Sequence, residues 1–193
     1  MRVESVSMSV KNVCVFCGSR EGSTGIYASK AASLGKYLAK NKIRLIFGGG
    51  QVGLMGLLAN AVSQAGGEVL GVIPRLLYDK ELANPAVHKL LIVDSMHQRK
   101  QKMYQLADAF IVLPGGVGTM EEAFEAWTWL QLGIHKKPIG LLNVNGFYDF
   151  LLHFIEVMYQ EDFIKVSHKK LLCVGTDIER IFYDLNASLE QYL

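Results

Sequence analysis

The sequence predicts an α/β fold: a Rossmann-like, doubly wound parallel sheet with helices on both faces, forming a single domain over residues 1–193. Three observations lead to this prediction. Short apolar segments typical of buried strands alternate along the chain with segments of helical spacing. Several apolar segments end in glycine-rich loops, at the edge where parallel sheets bind ligands. A chain of this length can also bury one ample core.

The predicted strands are short and largely apolar, as expected when both faces of a strand are buried. They occupy residues 12–19, 44–47, 68–73, 88–93, 109–113, 139–143 and 171–174. Pro74 ends the third of these strands, and Pro138 leads into the sixth.

The predicted helices have apolar residues at helical spacing and are bounded by capping or helix-ending residues. They cover residues 27–40, 57–65, 96–106, 122–132, 147–159 and 177–189. Asp94 and Ser95 can cap the third helix. Gly66 and Gly67 end the second helix, and Gly133 ends the fourth.

The composition argues against several classes of function. The formal net charge is +2, which does not indicate general nucleic-acid binding. Mean hydropathy is +0.21, yet no apolar run reaches the roughly 18–20 residues of a membrane span, so a buried sheet is the better explanation. Residues 1–11 read as a loose terminus without a signal peptide, which predicts a cytoplasmic protein. Residues 75–87 have the length of a functional or lid-like loop.

Cys14 and Cys17 form a Cys-x-x-Cys pair, which is a pattern found in redox and zinc sites. In a strand, however, residues three apart point to opposite faces of the sheet. No second Cys-x-x-Cys or nearby Cys/His pair completes a zinc site. We therefore predict plain buried or site-lining thiols, no metal site and no cofactor.

Four predicted loops leave the carboxyl ends of strands and together form a nucleotide-sized cleft. They contain residues 18–20, 48–53, 74–75 and 115–119. The glycines of the second loop lack the Gly-x-Gly-x-x-Gly spacing, and no Gly-Lys-Ser/Thr follows them. These glycines alone support neither a dinucleotide site nor an ATPase.

The fourth loop lies at a strand-to-helix turn with three glycines, which let the backbone turn sharply and approach a ligand. The first amides of the following helix lack intrahelical partners and lie at the positive end of its dipole. A phosphate group is the natural ligand for such a turn.

Two motifs in order carry a resemblance to a known family. Pro-Gly-Gly-Val-Gly-Thr-Met-Glu-Glu at 114–122 is preceded by Met-His-Gln-Arg-Lys at 96–100. Both resemble the signature of the LONELY GUY family, the cytokinin riboside 5′-monophosphate phosphoribohydrolases long labelled possible lysine decarboxylases. The resemblance extends over nearly the whole chain, with further matching segments at 16–19, 48–56, 71–74, 129–138 and 141–143.

The resemblance implies hydrolysis of the N-glycosidic bond of a purine nucleoside 5′-monophosphate, either AMP or an N6-prenylated relative. The products are the free base and ribose 5-phosphate. It implies Arg99 and Glu122 as the catalytic residues. The substrate-binding candidates lie in the loops and motifs described above and in the segment before them: Gly18, Ser19, Gly49, Gly50, Gly53, Glu81, Met96, Lys100, Gly115, Gly116, Val117, Gly118, Thr119, Met120, Glu121 and Thr128.

Two further features bear on the substrate and on assembly. Val117 and Met120 stand where plant members of the family have Tyr and Leu, which could alter base preference. The resemblance also implies a homodimer that completes the site. Trp127 and Trp129 point to different faces of one predicted helix, so one is expected in the core and the other near a partner subunit or the base.

The reaction chemistry is compatible with these residues on independent grounds. Breaking a ribosyl C–N bond builds positive charge on the sugar. Glu122 can stabilise that charge and can position or deprotonate water. Arg99 stays charged and offers five donors, so it could keep Glu122 ionised or bind the departing base or the phosphate. Structural interpretations remain: Thr119 and Glu122 match a capping box, and Arg99 and Lys100 could be solvated helix residues.

Three hypotheses therefore follow from the sequence. The first is a phosphoribohydrolase, which the pairing of Arg99 with Glu122 favours. The second is a non-catalytic nucleotide-binding module, which would not require that pair. The third is a pyridoxal-phosphate decarboxylase, which would need a Schiff-base lysine that no motif marks.

Overall fold

A computed structural model describes residues 10–79, 83, 84, 87 and 89–190. Its centre is one sheet of seven strands: β1 (Asn12–Phe16), β2 (Arg44–Phe47), β3 (Val69–Pro74), β4 (Lys89–Val93), β5 (Ala109–Val112), β6 (Ile139–Leu142) and β7 (Leu172–Gly175). The strands lie in the order β4-β3-β2-β1-β5-β6-β7, and every neighbouring pair is parallel. The predicted parallel sheet is confirmed.

Helices connect the strands and cover both faces of the sheet. They are α1 (Gly25–Lys40), α2 (Gly53–Gln64), α3 (Arg75–Tyr78), α4 (Met96–Leu106), α5 (Val117–Gln131), α6 (Asp149–Gln160), α7 (Val166–Lys169) and α8 (Ile178–Glu190), with a short 3-10 helix at Val144–Gly146. One core layer packs α1, α2 and α8 against the sheet, and the other packs α4, α5 and α6. No helix in the described ranges is long and apolar enough to cross a membrane.

The strand order reverses its direction between β1 and β5. From β1 the chain proceeds to β2 on one side, and from β5 it proceeds to β6 on the other. The two strands pair in register from Val13 with Ala109 to Phe16 with Val112, so their carboxyl ends are adjacent. Beyond that point Gly18 N donates to the Pro114 carbonyl at 3.0 Å. Because loops diverge at such a switch point, a ligand crevice opens there.

The main differences from the sequence prediction lie at helix starts. The helix α5 begins at Val117 rather than at residue 122, and α2 begins at Gly53 rather than at residue 57. Glycines in a first helical turn cost little because that turn is half outside the hydrogen-bonded ladder, so the glycine-rich loops run directly into helices. The single-turn helices α3 and α7 are too short to show a period.

The amino-terminal residues that are described are anchored. Val10 is buried and its backbone N donates to Asn186 Oδ1 at 3.0 Å, and Lys11 N donates to Asp108 Oδ2 at 3.0 Å. The predicted loose terminus therefore does not include these two residues, and the rest of that prediction lies outside the described residues. In the predicted irregular segment, Ala83 forms an isolated antiparallel bridge with Gly50.

Candidate active site

Arg99 and Glu122 meet where α4 and α5 pass each other above the sheet. Arg99 Nη1 lies 3.8 Å from Glu122 Oε1, and both side chains are nearly buried, with 10% and 13% of their surface exposed. Ser95 fixes the start of α4 as predicted: its hydroxyl accepts from Gln98 N at 3.2 Å, and Arg99 N donates to the Ser95 carbonyl at 3.0 Å. The two predicted catalytic residues are thus brought together.

The guanidinium of Arg99 lies directly on the backbone of Gly48. A Cβ atom at that position would come within 1.8 Å of Arg99 Nη2, so only glycine allows the arginine this place. Among the described residues, Arg99 Nε is buried without a hydrogen-bond partner. A buried donor without a partner is costly, and it indicates that the guanidinium has donors to offer to a ligand.

Glu122 does not serve as a helix cap. The N-cap of α5 is Gly116, which makes Thr119 a buried residue of the first turn and places Glu122 in the second turn. The capping-box interpretation of Thr119 and Glu122 is therefore wrong, because it assumed a later helix start. Burial raises the pKa of the Glu122 carboxyl, and the charge of Arg99 opposes that rise.

The glycine turn forms the beginning of α5. Gly116 is extended, and the first intrahelical bond runs from Met120 N to the Gly116 carbonyl at 3.1 Å. The amides of Val117, Gly118 and Thr119 precede that bond, so they are the unpaired donors of the helix N-terminus. Gly116, Val117 and Gly118 are exposed, and Val117 reaches 88%. The turn thus presents donors and a positive dipole end to solvent.

A cleft of about 380 Å³ lies beside this turn, at the switch point between β1 and β5. It is lined by Gly18, Ser19, Arg20, Glu21, Gly22, Tyr27, Leu54, Pro114, Gly115, Gly116 and Phe147. Gly53 holds the loop after β2 against the loop after β1: its φ is +61°, and a Cβ there would lie 2.3 Å from the Ser19 carbonyl carbon. Leu54 N donates to the Gly18 carbonyl at 3.0 Å.

Sequence reasoning missed the aromatic residues around this cleft. Tyr27 and Phe147 line it with ring centroids 5.7 Å apart in an edge-to-face arrangement. The fully buried Tyr148 donates its hydroxyl to the Leu113 carbonyl at 2.7 Å, just before the glycine turn. These residues have no characteristic spacing to the motifs, and only the fold brings the segment after β6 next to β5.

The Tyr148 bond leads to a first prediction. Tyr148→Phe should leave the Leu113 carbonyl unpaired and lower the free energy of unfolding by about 1–3 kcal/mol. For a chain of this size, that corresponds to a melting temperature lower by about 2–4 °C per kcal/mol. Since the carbonyl precedes the glycine turn, we also expect a several-fold higher KM for a monophosphate substrate. Calorimetry and steady-state kinetics would check this, with Tyr183→Phe, at an exposed position of α8, as the control; unchanged values for both quantities would contradict it.

The remaining predicted site residues divide into those near the pair and those away from it. Met96 begins α4, and its Sδ lies 3.9 Å from Arg99 Nη1. Lys100 forms ion pairs with Glu121 and Glu125 of α5. Sequence reasoning missed Glu125, although its position four residues after Glu121 puts both acids on one helix face.

Other candidates have mainly structural surroundings. The side chain of Met120 packs into the core, and Thr128 is exposed two turns beyond Glu122. Gly49 and Gly50 hold the segment around residue 84: Asn84 N donates to the Gly49 carbonyl at 2.9 Å. Glu81 lies outside the described residues.

The two cysteines near the site are free, buried thiols, as predicted. Cys14 belongs to the core layer on the α5 side of the sheet and Cys17 to the opposite layer, which agrees with their predicted opposite directions. Burial and the nearby Glu122 charge raise the pKa of both thiols. No group of three metal-binding side chains occurs within the part of the chain that the structure covers.

The two tryptophans of α5 both pack within the subunit. Trp127 is buried, which confirms that one of the pair is a core residue, and its Nε1 donates to the His168 carbonyl at 3.0 Å. Trp129 is half-buried against Tyr104, with ring centroids 4.8 Å apart. The position of an interface or of the base relative to this helix stays a prediction.

Comparison with solved structures identifies the same architecture in other proteins. A molybdenum cofactor carrier protein from Chlamydomonas reinhardtii superimposes with a TM-score of 0.69 at 20% identity, covering 93% of this chain and 98% of that one. A molybdenum cofactor binding protein from Rippkaea orientalis gives 0.68 at 22% identity, covering 94% and 98%. These likenesses show the shared fold.

Comparison with sequences identifies the family. Residues 55–185 match the family model described as "Possible lysine decarboxylase". Cytokinin riboside 5′-monophosphate phosphoribohydrolase LOG5 of Arabidopsis thaliana is 44% identical over 185 residues, which is 96% of this chain and 81% of the relative. A probable cytokinin riboside 5′-monophosphate phosphoribohydrolase of Oryza sativa subsp. japonica, LOGL9, is 46% identical over 183 residues, which is 95% of this chain and 79% of the relative. The chain therefore belongs to the LONELY GUY family, whose model carries the decarboxylase description and whose curated members are named as cytokinin riboside 5′-monophosphate phosphoribohydrolases.

Proposed function

We propose that the protein hydrolyses the N-glycosidic bond of purine nucleoside 5′-monophosphates and releases the free base and ribose 5-phosphate. The observation that carries this proposal is the nearly buried pair of Arg99 and Glu122, 3.8 Å apart, with Glu122 in the second turn of α5, just beyond the glycine turn that begins this helix. The names of the plant relatives support the same reaction.

The phosphate is bound at the start of α5 in this proposal. The unpaired amides of Val117, Gly118 and Thr119 donate to its oxygens, and the helix dipole favours its charge. The adjoining cleft, lined by Ser19 and Arg20 among others, provides further polar groups. Binding energy from this remote phosphate can hold the ribosyl bond in position at the reacting residues.

Glu122 acts on the ribose. As the C–N bond breaks, positive charge develops on the sugar, and a carboxylate in a nearly buried site stabilises it more strongly than in water. The same carboxylate can position or deprotonate the attacking water. Because burial raises the Glu122 pKa, this activity requires a pH above that raised value and is lost as the pH falls through it.

Arg99 supports the ionised form of Glu122 and has donors left for the substrate. Its charge opposes the rise of the Glu122 pKa, and its Nε lacks a partner among the described residues. An Nε donor of this kind suits an acceptor nitrogen or oxygen on the departing base. The guanidinium lies against Gly48, in a space that a Cβ atom at that position would fill.

We further propose a homodimer with its interface next to the site. Val117 is 88% exposed and Met96 47%, and both adjoin the beginnings of the two helices that carry the reacting pair. A second subunit that covers them would remove apolar surface and exclude water from the pair. Light scattering at working concentration tests this: we expect the mass of a dimer, and a monomer would contradict it.

Among the described residues, Lys100 and Lys137 give no support to the decarboxylase description in the family name. A Schiff-base lysine must be available as a neutral amine. Burial lowers the Lys100 pKa, but the hydrogen bonds that its Nζ donates to Glu121 and Glu125 oppose this effect and raise the pKa overall. Lys137 has a lowered pKa through burial, but it precedes β6, at the amino-terminal ends of the strands, and its Nζ donates to the Tyr104 carbonyl.

The role of the phosphate gives the test of the proposed function. Purified protein is incubated with AMP, isopentenyl-AMP and adenosine, and base release is followed by chromatography. A charge-assisted hydrogen bond contributes about 1.5–3 kcal/mol, so we expect kcat/KM for the monophosphates to exceed that for adenosine by at least about tenfold. Equal rates on adenosine and AMP would contradict the phosphate site. Binding of AMP without any base release would instead support the non-catalytic nucleotide-binding module.

A further inference from the structure

Two ionic contacts link α4 to α5 at consecutive residues. Arg99 faces Glu122 at 3.8 Å, and the next residue, Lys100, contacts both Glu121 and Glu125. We call the second contact, formed by Lys100, Glu121 and Glu125, the lysine clamp. In the clamp, Lys100 Nζ donates to Glu121 Oε1 and to Glu125 Oε2, so both carboxylates are within direct hydrogen-bond reach of the ammonium group.

Two of the three side chains of the clamp are largely shielded from solvent between α4 and α5. Only 12% of the Lys100 side chain and 19% of the Glu125 side chain are exposed, while Glu121 is 53% exposed. Two of the three ammonium donors are therefore used within the protein. To donate all of its hydrogen bonds to a substrate phosphate, Lys100 would have to leave the carboxylate of Glu125, which is itself largely buried.

The clamp balances the negative charge around the neighbouring pair of Arg99 and Glu122. Two cations, Arg99 and Lys100, stand against three carboxylates on one stretch of α5. Without Lys100, two uncompensated acids would lie next to Glu122 and disfavour its charged form.

We propose that Lys100 is a positioning residue that neutralises Glu121 and Glu125, so that Glu122 alone carries an available negative charge towards the ribose. This goes beyond the substrate-binding role expected for Lys100, and its kinetic consequence rests on the proposed function. The residues whose charge or ionisable group acts on Glu122 come from all the packed elements: Arg99, Lys100, Glu121, Glu125, Tyr104, Cys14 and Cys17. Burial raises the pKa of the Tyr104 phenol, which is therefore neutral, and its hydroxyl donates to the Glu122 carbonyl at 3.3 Å. The thiols are neutral because burial raises the pKa of each one, so the clamp and Arg99 dominate.

The sign of the effect differs between the two halves of the clamp. Lys100→Met removes the cation, so the Glu122 pKa should rise and the acid limb of the pH–rate profile should move to higher pH, by roughly one unit. The double variant Glu121→Gln with Glu125→Gln keeps the cation without its partners, so the limb should move to lower pH. Combining all three substitutions should return the limb close to that of the wild type. Lys102→Met on the same helix is the matched control.

The test combines kinetics with a direct titration. The kcat profile for AMP is measured for each variant; ionisation of the substrate phosphate is common to all of them and cancels in the comparison. The Glu122 carboxyl is titrated in the free proteins by 13C NMR, with its signal assigned by its loss in Glu122→Gln. The titration needs no turnover, so it decides the clamp even if wild-type protein releases no base, which would overturn the proposed function alone.

The outcomes are distinct. Opposite shifts in Lys100→Met and in the double variant, with restoration in the triple variant, support the clamp. An unchanged Glu122 pKa in both variants, with activity lost at all pH values, overturns it and leaves Lys100 as a direct substrate contact or a structural tie between the helices. If Lys100→Met does not fold, the double variant with Lys100 retained still decides the sign.

Discussion

Glu122→Gln is expected to lower base release from AMP by at least about a hundredfold while the protein folds normally. The amide has nearly the same shape as the carboxylate, but it cannot stabilise positive charge on the ribose or accept a proton from water. Removal of one such electrostatic partner typically costs about 2.7–4 kcal/mol in the transition state. The carboxylate is nearly buried, so solvent cannot replace its charge.

The measurement is the steady-state rate of base release, with the melting temperature recorded alongside. Glu179→Gln, an exposed residue in the first turn of α8, is the control for a charge change alone. Since α5 is capped by Gly116 and not by Glu122, no large loss of stability should accompany the substitution. Turnover near that of the wild type would reject the catalytic role of Glu122.

Arg99→Lys should produce a loss of similar size, at least about a hundredfold, even though it conserves the positive charge. Lysine presents a point charge in place of the planar fork, and it has no donor equivalent to Nε. The guanidinium also fills the space over Gly48, where a Cβ would lie 1.8 Å from Nη2. A shorter ammonium side chain cannot occupy that site and face Glu122 at the same distance.

The kinetic constants for Arg99→Lys separate two roles. If Arg99 acts on the departing base or through Glu122, kcat falls and KM changes little; if it holds the ground-state phosphate, KM rises while kcat is kept. We expect the first pattern, because the phosphate site lies at the start of α5. Arg180→Lys on α8 is the matched control. Equal kcat values for Arg99→Lys and wild type would contradict this account.

The strands and the parallel character of the sheet could be predicted because buried parallel strands have apolar runs in the sequence. The helix α4 was predicted with both of its ends, since Ser95 is a clear cap and the predicted strand at 109–113 follows directly. The start of α5 was misplaced by five residues because glycine-rich segments read as loops. That one error also produced the incorrect capping-box interpretation of Glu122.

The site was predictable only as far as sequence motifs extend. Arg99 and Glu122 were found through their motifs and are adjacent in the fold. The contact of Lys100 with Glu125 and the bond from Tyr148 to the Leu113 carbonyl depend on how elements pack. The spacing of Glu121 and Glu125 places both acids on one helix face, but it does not show that Lys100 of α4 lies against them. The packing of the Arg99 guanidinium against Gly48 could not be predicted either, because no spacing rule connects the end of β2 with the first turn of α4.

The most direct test of the central claim is to quantify both products released from AMP and isopentenyl-AMP by the wild-type protein and by Glu122→Gln at equal concentration. For the wild type, the account predicts free base and ribose 5-phosphate in equal molar amounts, with water as the only other reactant. For Glu122→Gln it predicts the same products at least about a hundred times more slowly. Absence of base release from both substrates, or base release at equal rates by the two proteins, would contradict it.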